Sequence, residues 1–250
     1  MFHYLASIVY DGSDFAGWAK QPNQFTAQGY IEKTLTKIFQ TKISILAASR
    51  TDKEVHALDQ KFIFKLSFFL SLDQLKLILD KCLKKHIIVK NVQSVRADFH
   101  PIRNVVKKEY HYFINMGKYD LFNRKYRWEY NLHLNLNKLN AVLAIFQGQH
   151  DFFNFSFCRW KDKEKKSTVR FIDSLKVQET KKKTLIIKII SHGFLRYQIR
   201  AIVGEAINCL EGKQTIENLK EKLDNPQQLN KYKHLAPASG LYLWKITYKN

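Results

Sequence analysis

The chain has 250 residues, enough for one large domain or two small ones, and its 45% hydrophobic and 14% aromatic content supplies a packed core rather than a disordered chain. A formal net charge of +20 favours a polyanionic partner, nucleic acid or a membrane surface. Nine of the 42 basic residues are Arg, so each Arg in a motif carries more information than each Lys.

In chain order, Phe2 to Tyr10 reads as a strand. Thr26 to Gln40 predicts a helix, with Ile31, Leu35, Ile38 and Phe39 at helical spacing and Thr26 as its cap. Lys42 to Ala48 and Lys61 to Phe69 are β-rich. Ser71-Leu72-Asp73-Gln74 reads as a capping box before a helix carrying Leu75, Leu79 and Leu83. Ile87 to Val95 is a strand again. The order β-α-β-β-α-β is the split pattern of ferredoxin-like domains.

The second half repeats that order. Val105 to Met116 is a strand with Tyr110 and Tyr112 on one face. Asn137 to Gln147 is helical through Leu139, Val142, Leu143 and Phe146. Val169 to Gln178 and Thr184 to Ser191 are strands joined by a polar turn, Glu179 to Lys183. Arg196 to Glu211 predicts a helix ended by Gly212 at its C-cap, with a short helix from Ile216 to Leu223 and a closing strand from Leu241 to Tyr248. The expected class is α+β: two ferredoxin-like βαββαβ halves, residues 1–104 and 105–250, with a mainly antiparallel sheet and a central active-site cleft. The runs Lys161 to Lys166 and Lys181 to Lys183 read first as solvated surface and second as RNA backbone contacts.

Phosphate-cradling glycine loops, His-x-x-x-His and Cys-x-x-Cys are absent, which lowers nucleotide-cofactor, metal and redox chemistry. Cys82, Cys158 and Cys209 have neither zinc spacing nor a disulfide framework. Without a signal peptide or an apolar run of membrane-spanning length, the expected compartment is a reducing cytoplasm, with no membrane partner. What remains is Arg50-Thr51-Asp52, between two β-rich segments and followed by Val55-His56-Ala57. On spacing alone, Asp52 is either a turn former with a surface ion pair or a reactive carboxylate.

Ala48-Ser49-Arg50-Thr51-Asp52-Lys53-Glu54-Val55-His56-Ala57 resembles the Gly-Arg-Thr-Asp-Ala-Gly-Val-His signature of the tRNA pseudouridine synthase A family. Further blocks resemble the same family in its own order. They are Tyr10-Asp11-Gly12-Ser13, Gly17-Trp18 and Thr26-Ala27-Gln28-Gly29, then Asp98-Phe99-His100 with Lys107 to Tyr112. Gly148-Gln149-His150-Asp151-Phe152, Phe194 to Gly204 and Ala236 to Leu243 complete the set. Four departures stand out. Ser49 replaces a Gly, Lys53-Glu54 replaces Ala-Gly, Glu109 stands where the family usually has Arg, and Ile102-Arg103 shifts an Ala-Arg pair.

The resemblance implies isomerisation of uridine to pseudouridine in the tRNA anticodon stem-loop, at tRNA positions 38 to 40, by a homodimer without a cofactor or metal. It assigns the catalytic carboxylate to Asp52, the active-site Arg to Arg200 and the active-site Tyr to Tyr110. Arg200 would favour the ionised Asp52, and Tyr110 would stack on the uracil. Arg50 would hold the flipped nucleotide or fill its vacated space. Arg196, one turn before Arg200, is a candidate phosphate contact, and His56 is a candidate for substrate contact or for a structural role. The His150-Asp151-Phe152 block reads as packing. Two other readings stay open: a non-catalytic RNA-binding protein of this fold, and a pseudouridine synthase with a different RNA target.

Overall fold

The segment Phe2–Tyr10 forms β1, as its aromatic and β-branched content dictates. This computed structural model describes residues 1–158, 167–226 and 234–249, so the charge run Lys161 to Lys166 lies outside the described residues. The chain divides into two compact units: unit 1, Met1–Val106 with Tyr242–Asn250, and unit 2, Lys107–Leu241.

Unit 1 follows the expected order: β1, α1 (Ala27–Phe39), β2 (Leu46–Ala47), β3 (His56–Leu66), α2 (Leu72–Leu83) and β4 (Ile87–Ser94). β1 lies between β3 and β4, antiparallel to both, and β2 pairs antiparallel with β3. The last strand of the chain, β10 (Leu241–Tyr248), runs parallel to β3 through Tyr242 opposite His56 and Leu243 opposite Ala57. Thr26 caps α1 by accepting the Gly29 amide, and Ser71 with Gln74 forms the expected capping box on α2. Ile31 and Leu35 of α1 and Leu75, Leu79 and Leu83 of α2 are fully buried, so the apolar stripes read from sequence are the core-facing ones.

Two boundaries differ from expectation. The β-rich stretch Lys42 to Ala48 contributes only Leu46–Ala47 to the sheet. Its earlier amides are taken by α1 side chains: Ile43 N donates to Thr36 Oγ1 (3.2 Å) and Ile45 N to Glu32 Oε1 (3.0 Å). Conversely, β3 begins at His56, five residues before the apolar run. His56, Asp59 and Gln60 are buried polar residues there, each matched by a distant partner. Asp59 accepts the Ile246 amide at 2.8 Å, and Gln60 both accepts from and donates to the Ser49 backbone.

In unit 2, β5 (Val105–Asn115) pairs antiparallel with β9 (Thr184–Ser191). β9 pairs with β8 (Val169–Glu179), and β8 with β7 (Gly148–Asp151). A two-residue strand, β6 (Trp128–Glu129), runs parallel to β5. The helices among the described residues are α3 (Leu136–Ala144), α4 (Gln198–Leu210) and α5 (Ile216–Asp224). β6 and β7 are too short to leave a periodic signal. Gly212 takes φ +71° just past α4, as its predicted capping role requires. The protein is thus α+β with mainly antiparallel strands, and no described helix is long and apolar enough to cross a membrane.

The helix expected from Arg196 begins two residues later. Tyr197 adopts the left-handed conformation at φ 63° and interrupts helical geometry. A tight turn enforces this: Gln198 N donates to Leu195 O (3.2 Å), while Gln198 Oε1 accepts the Leu195 amide (2.8 Å). Arg196 therefore lies in that turn, outside the helix that carries Arg200.

Candidate active site

The segment carrying Arg50, Thr51 and Asp52 links β2 to β3 and is anchored at several points. Ala48 N donates to Lys61 O (2.8 Å), continuing the hairpin, and Gln60 grips both backbone groups of Ser49. The buried Thr51 hydroxyl lies 2.7 Å from the Tyr10 hydroxyl, and Thr51 O accepts the Trp18 amide at 3.0 Å. Val55 N closes a turn onto Asp52 O at 3.2 Å. Asp52 is half-buried and Arg50 exposed, while Thr51 and Val55 are buried.

Two glycines let other backbone approach this turn. A Cβ on Gly12 would stand 2.3 Å from Val55 O, and one on Gly17, at φ +102°, would stand 3.2 Å from Thr51 O and Lys53 N. Buried His56 extends the same support. Its Nδ1 lies 3.0 Å from the Gly12 amide and 3.1 Å from Asp11 Oδ1, and its ring stacks on Tyr242 at 4.5 Å. Nδ1 can serve one of those partners at a time, accepting from Gly12 when bare or donating to Asp11 when protonated. Sequence reasoning does not single out Tyr10, Gly12, Gly17, Trp18 or Gln60 as loop supports, although all but Gln60 lie in the resembling blocks.

Unit 2 carries the other candidates. Tyr110 lies on β5, buried, with its ring edge-on to Phe194 at 5.3 Å. Two residues along the same face, Tyr112 is fully buried and donates from its hydroxyl to Pro237 O at 2.7 Å. Burial pushes the Tyr112 phenol well above its ordinary range, partly opposed by the nearby Arg200 charge. Lys108 precedes Tyr110 on that face. Burial, reinforced by Arg170, lowers its ammonium pKa to about 8. Arg200, half-buried on α4, donates from Nε to Ala236 O at 2.8 Å, and Ala236 N returns a bond to Arg200 O at 3.0 Å. Gly204 permits this, since a Cβ there would stand 2.2 Å from His234 O. Exposed Arg196 donates to the Tyr197 hydroxyl at 3.0 Å.

Two of the departures from the family pattern, Glu109 and Lys53-Glu54, have a physical reading. Glu109 points to the opposite face of β5 from Tyr110 and pairs with His111 Nε2 at 2.5 Å. Glu54 sits at φ 65°, a left-handed position that suits the Gly it replaces. Lys53 and Glu54 are both exposed, 3.9 Å apart. In the block read as packing, Phe152 is fully buried and Asp151 Oδ1 accepts the Phe153 amide and the Thr168 hydroxyl.

The model of the family described as tRNA pseudouridine synthase matches residues 6–102 and 142–249. The chain belongs to the tRNA pseudouridine synthase family. Curated relatives named tRNA pseudouridine synthase A are similar over their whole length. The Mesoplasma florum protein is 38% identical across 100% of both chains. That of Spiroplasma kunkelii is 39% identical, covering 99% of this chain and 95% of its own, and that of Thermosipho melanesiensis is 32% identical over 99% and 100%. The family is one of isomerases, and its match spans both the Asp52 loop and the Arg200 helix.

Proposed function

We propose that this protein isomerises uridine to pseudouridine in the anticodon stem-loop of tRNA, at tRNA positions 38 to 40. The observation that carries the reading is the end-to-end similarity to proteins named tRNA pseudouridine synthase A, with Asp52 held in a many-anchored turn. In this reading the Asp52 carboxylate begins the detachment of uracil from its ribose. Tyr110 stacks on the base, and Arg200 supplies positive charge to the reacting groups. Arg50, exposed beside Asp52, holds the extruded nucleotide, at a flipping cost of about a few kcal/mol drawn from RNA binding. His56 serves by keeping the turn in place, consistent with its burial. No step needs a cofactor, because the base itself is both leaving group and nucleophile.

A net charge of +20 supports tRNA recognition by phosphate contact and shape. The homodimer is part of the proposal, and the exposed Tyr119, Leu121 and Phe122 supply an apolar surface suited to a second copy. The test is tritium release from tRNA labelled at uracil C5. Wild type should release tritium, while Asp52→Ala should release none and still bind tRNA with near wild-type affinity. Turnover by Asp52→Ala would remove the carboxylate from the chemistry. Absence of release by the wild type, with tRNA bound, would favour a non-catalytic protein or another RNA target.

A further inference from the structure

We propose that Phe157, Arg196 and Tyr197 form a stacking platform for one unpaired RNA nucleotide, beside Arg200; this rests on the RNA-modifying reading above. Phe157 is a large apolar ring left 60% exposed, which core packing does not require. It is nevertheless held firmly, because its amide donates to Arg196 O at 3.0 Å. The Tyr197 ring meets it edge-on at 5.3 Å and 90°. The Arg196 guanidinium carbon lies 4.7 Å from the Tyr197 ring centre and 5.6 Å from that of Phe157. On the same Tyr197 ring, the Arg200 guanidinium carbon lies at 5.4 Å.

Tyr197 thus links the cluster to the Arg the mechanism employs. Its left-handed backbone is unusual for an aromatic residue, and such conformations persist where the surroundings hold them and gather at functional sites. In the same turn, fully buried Gln198 has an Nε2 without a hydrogen-bond partner among the described residues.

These groups match one ligand chemistry. An unpaired base offers a flat π face to Phe157, and its phosphate offers charge to Arg196. Because the rings and the guanidinium are already assembled, binding loses little side-chain freedom. With the exposed Phe157 ring beside a guanidinium and a net charge of +20, the patch suits a nucleic-acid strand better than an apolar protein surface.

The test uses the full chain and an anticodon stem-loop RNA, its loop nucleotides replaced one at a time by abasic ones, with affinity read by fluorescence anisotropy. Phe157→Ala should weaken binding about five- to hundred-fold, and Phe157→Trp should bind nearly as wild type. One abasic position should weaken the wild type and leave Phe157→Ala unchanged, the non-additivity that stacking demands. Arg196→Gln should lower the salt dependence of binding by about one phosphate contact. Equal affinity of wild type and Phe157→Ala, additive abasic effects, or no binding by the wild type would each overturn the platform. A protein partner competing at Phe157 while RNA affinity stays unchanged would overturn it as well. Tritium release keeps the two ideas apart. Isomerisation without a Phe157 effect defeats only the platform. A Phe157-dependent abasic signature without isomerisation defeats only the proposed reaction.

Discussion

Replacing Gly12 by Ala puts a methyl group where the Val55 carbonyl already stands. The new Cβ would lie 2.3 Å from Val55 O and 2.4 Å from Val55 C, against backbone that cannot rotate away. Restoring ordinary contact requires a retreat of about 1 Å, and overpacking of this kind costs about 1–3 kcal/mol. In a chain of this length that lowers Tm by about 2–12 °C. It leaves the protein folded at 25 °C if its stability is in the usual range of about 5–15 kcal/mol. With Asp52 in its proposed role, the larger effect falls on the reaction. Val55 N is bonded to Asp52 O, so the carboxylate turn moves with Val55. A displacement of about 1 Å can cost about a hundredfold in rate. Single-turnover tritium release should therefore fall about a hundredfold, while tRNA affinity falls little. A rate within about twofold of wild type, at unchanged Tm, would refute the claim that the Gly12 approach sets the position of Asp52.

Three further outcomes follow from the same geometry. Gly204→Ala should displace the 234–236 backbone, whose His234 O would be 2.2 Å from the new Cβ, and so free Arg200 from Ala236 O; turnover should drop at least about tenfold, and an unchanged rate would separate that segment from Arg200 function. Glu54→Gly should raise stability by up to about 1 kcal/mol, since the left-handed backbone at φ 65° penalises a side chain by about 1–2 kcal/mol and Gly returns part of that as backbone entropy; urea unfolding measures it, and a loss of stability would contradict it. Lys108, with a folded pKa of about 8 against an ordinary 10.5, binds fewer protons folded than unfolded between those values. Stability should therefore rise with pH across that window, by at most about 3 kcal/mol, and the gain should be absent below about pH 8. Lys108→Met should show a correspondingly flatter urea-unfolding profile, and identical profiles would count against the burial cost.

The candidate turn is legible because its chemistry lies in consecutive residues. Arg50-Thr51-Asp52 and the blocks around it can be matched as a string, whereas which block supports which cannot. Tyr10 reaches Thr51 across 41 positions and Tyr112 reaches Pro237 across 125. Arg200 and Ala236 both lie in recognisable blocks, but the hydrogen bond that joins them is legible in neither. Helical spacing of its neighbours puts Arg196 on a helix; the Leu195–Gln198 turn overrides that spacing at Tyr197.

The amino-acid sequence by itself determined the features that act over one or two turns of chain. The caps at Thr26 and Ser71, the buried stripes of α1 and α2, and the stop at Gly212 depend on residues three or four positions apart. Only the tertiary structure decided where polar residues join the core and which strands pair. His56, Asp59 and Gln60 break apolar alternation and still form β3, because Gly12, Ile246 and Ser49 satisfy them from elsewhere in the chain. β10 likewise reads as the close of the second half, yet it runs beside β3 in unit 1. A strand's pattern records that one face is buried and carries no address for the strand that accepts its hydrogen bonds.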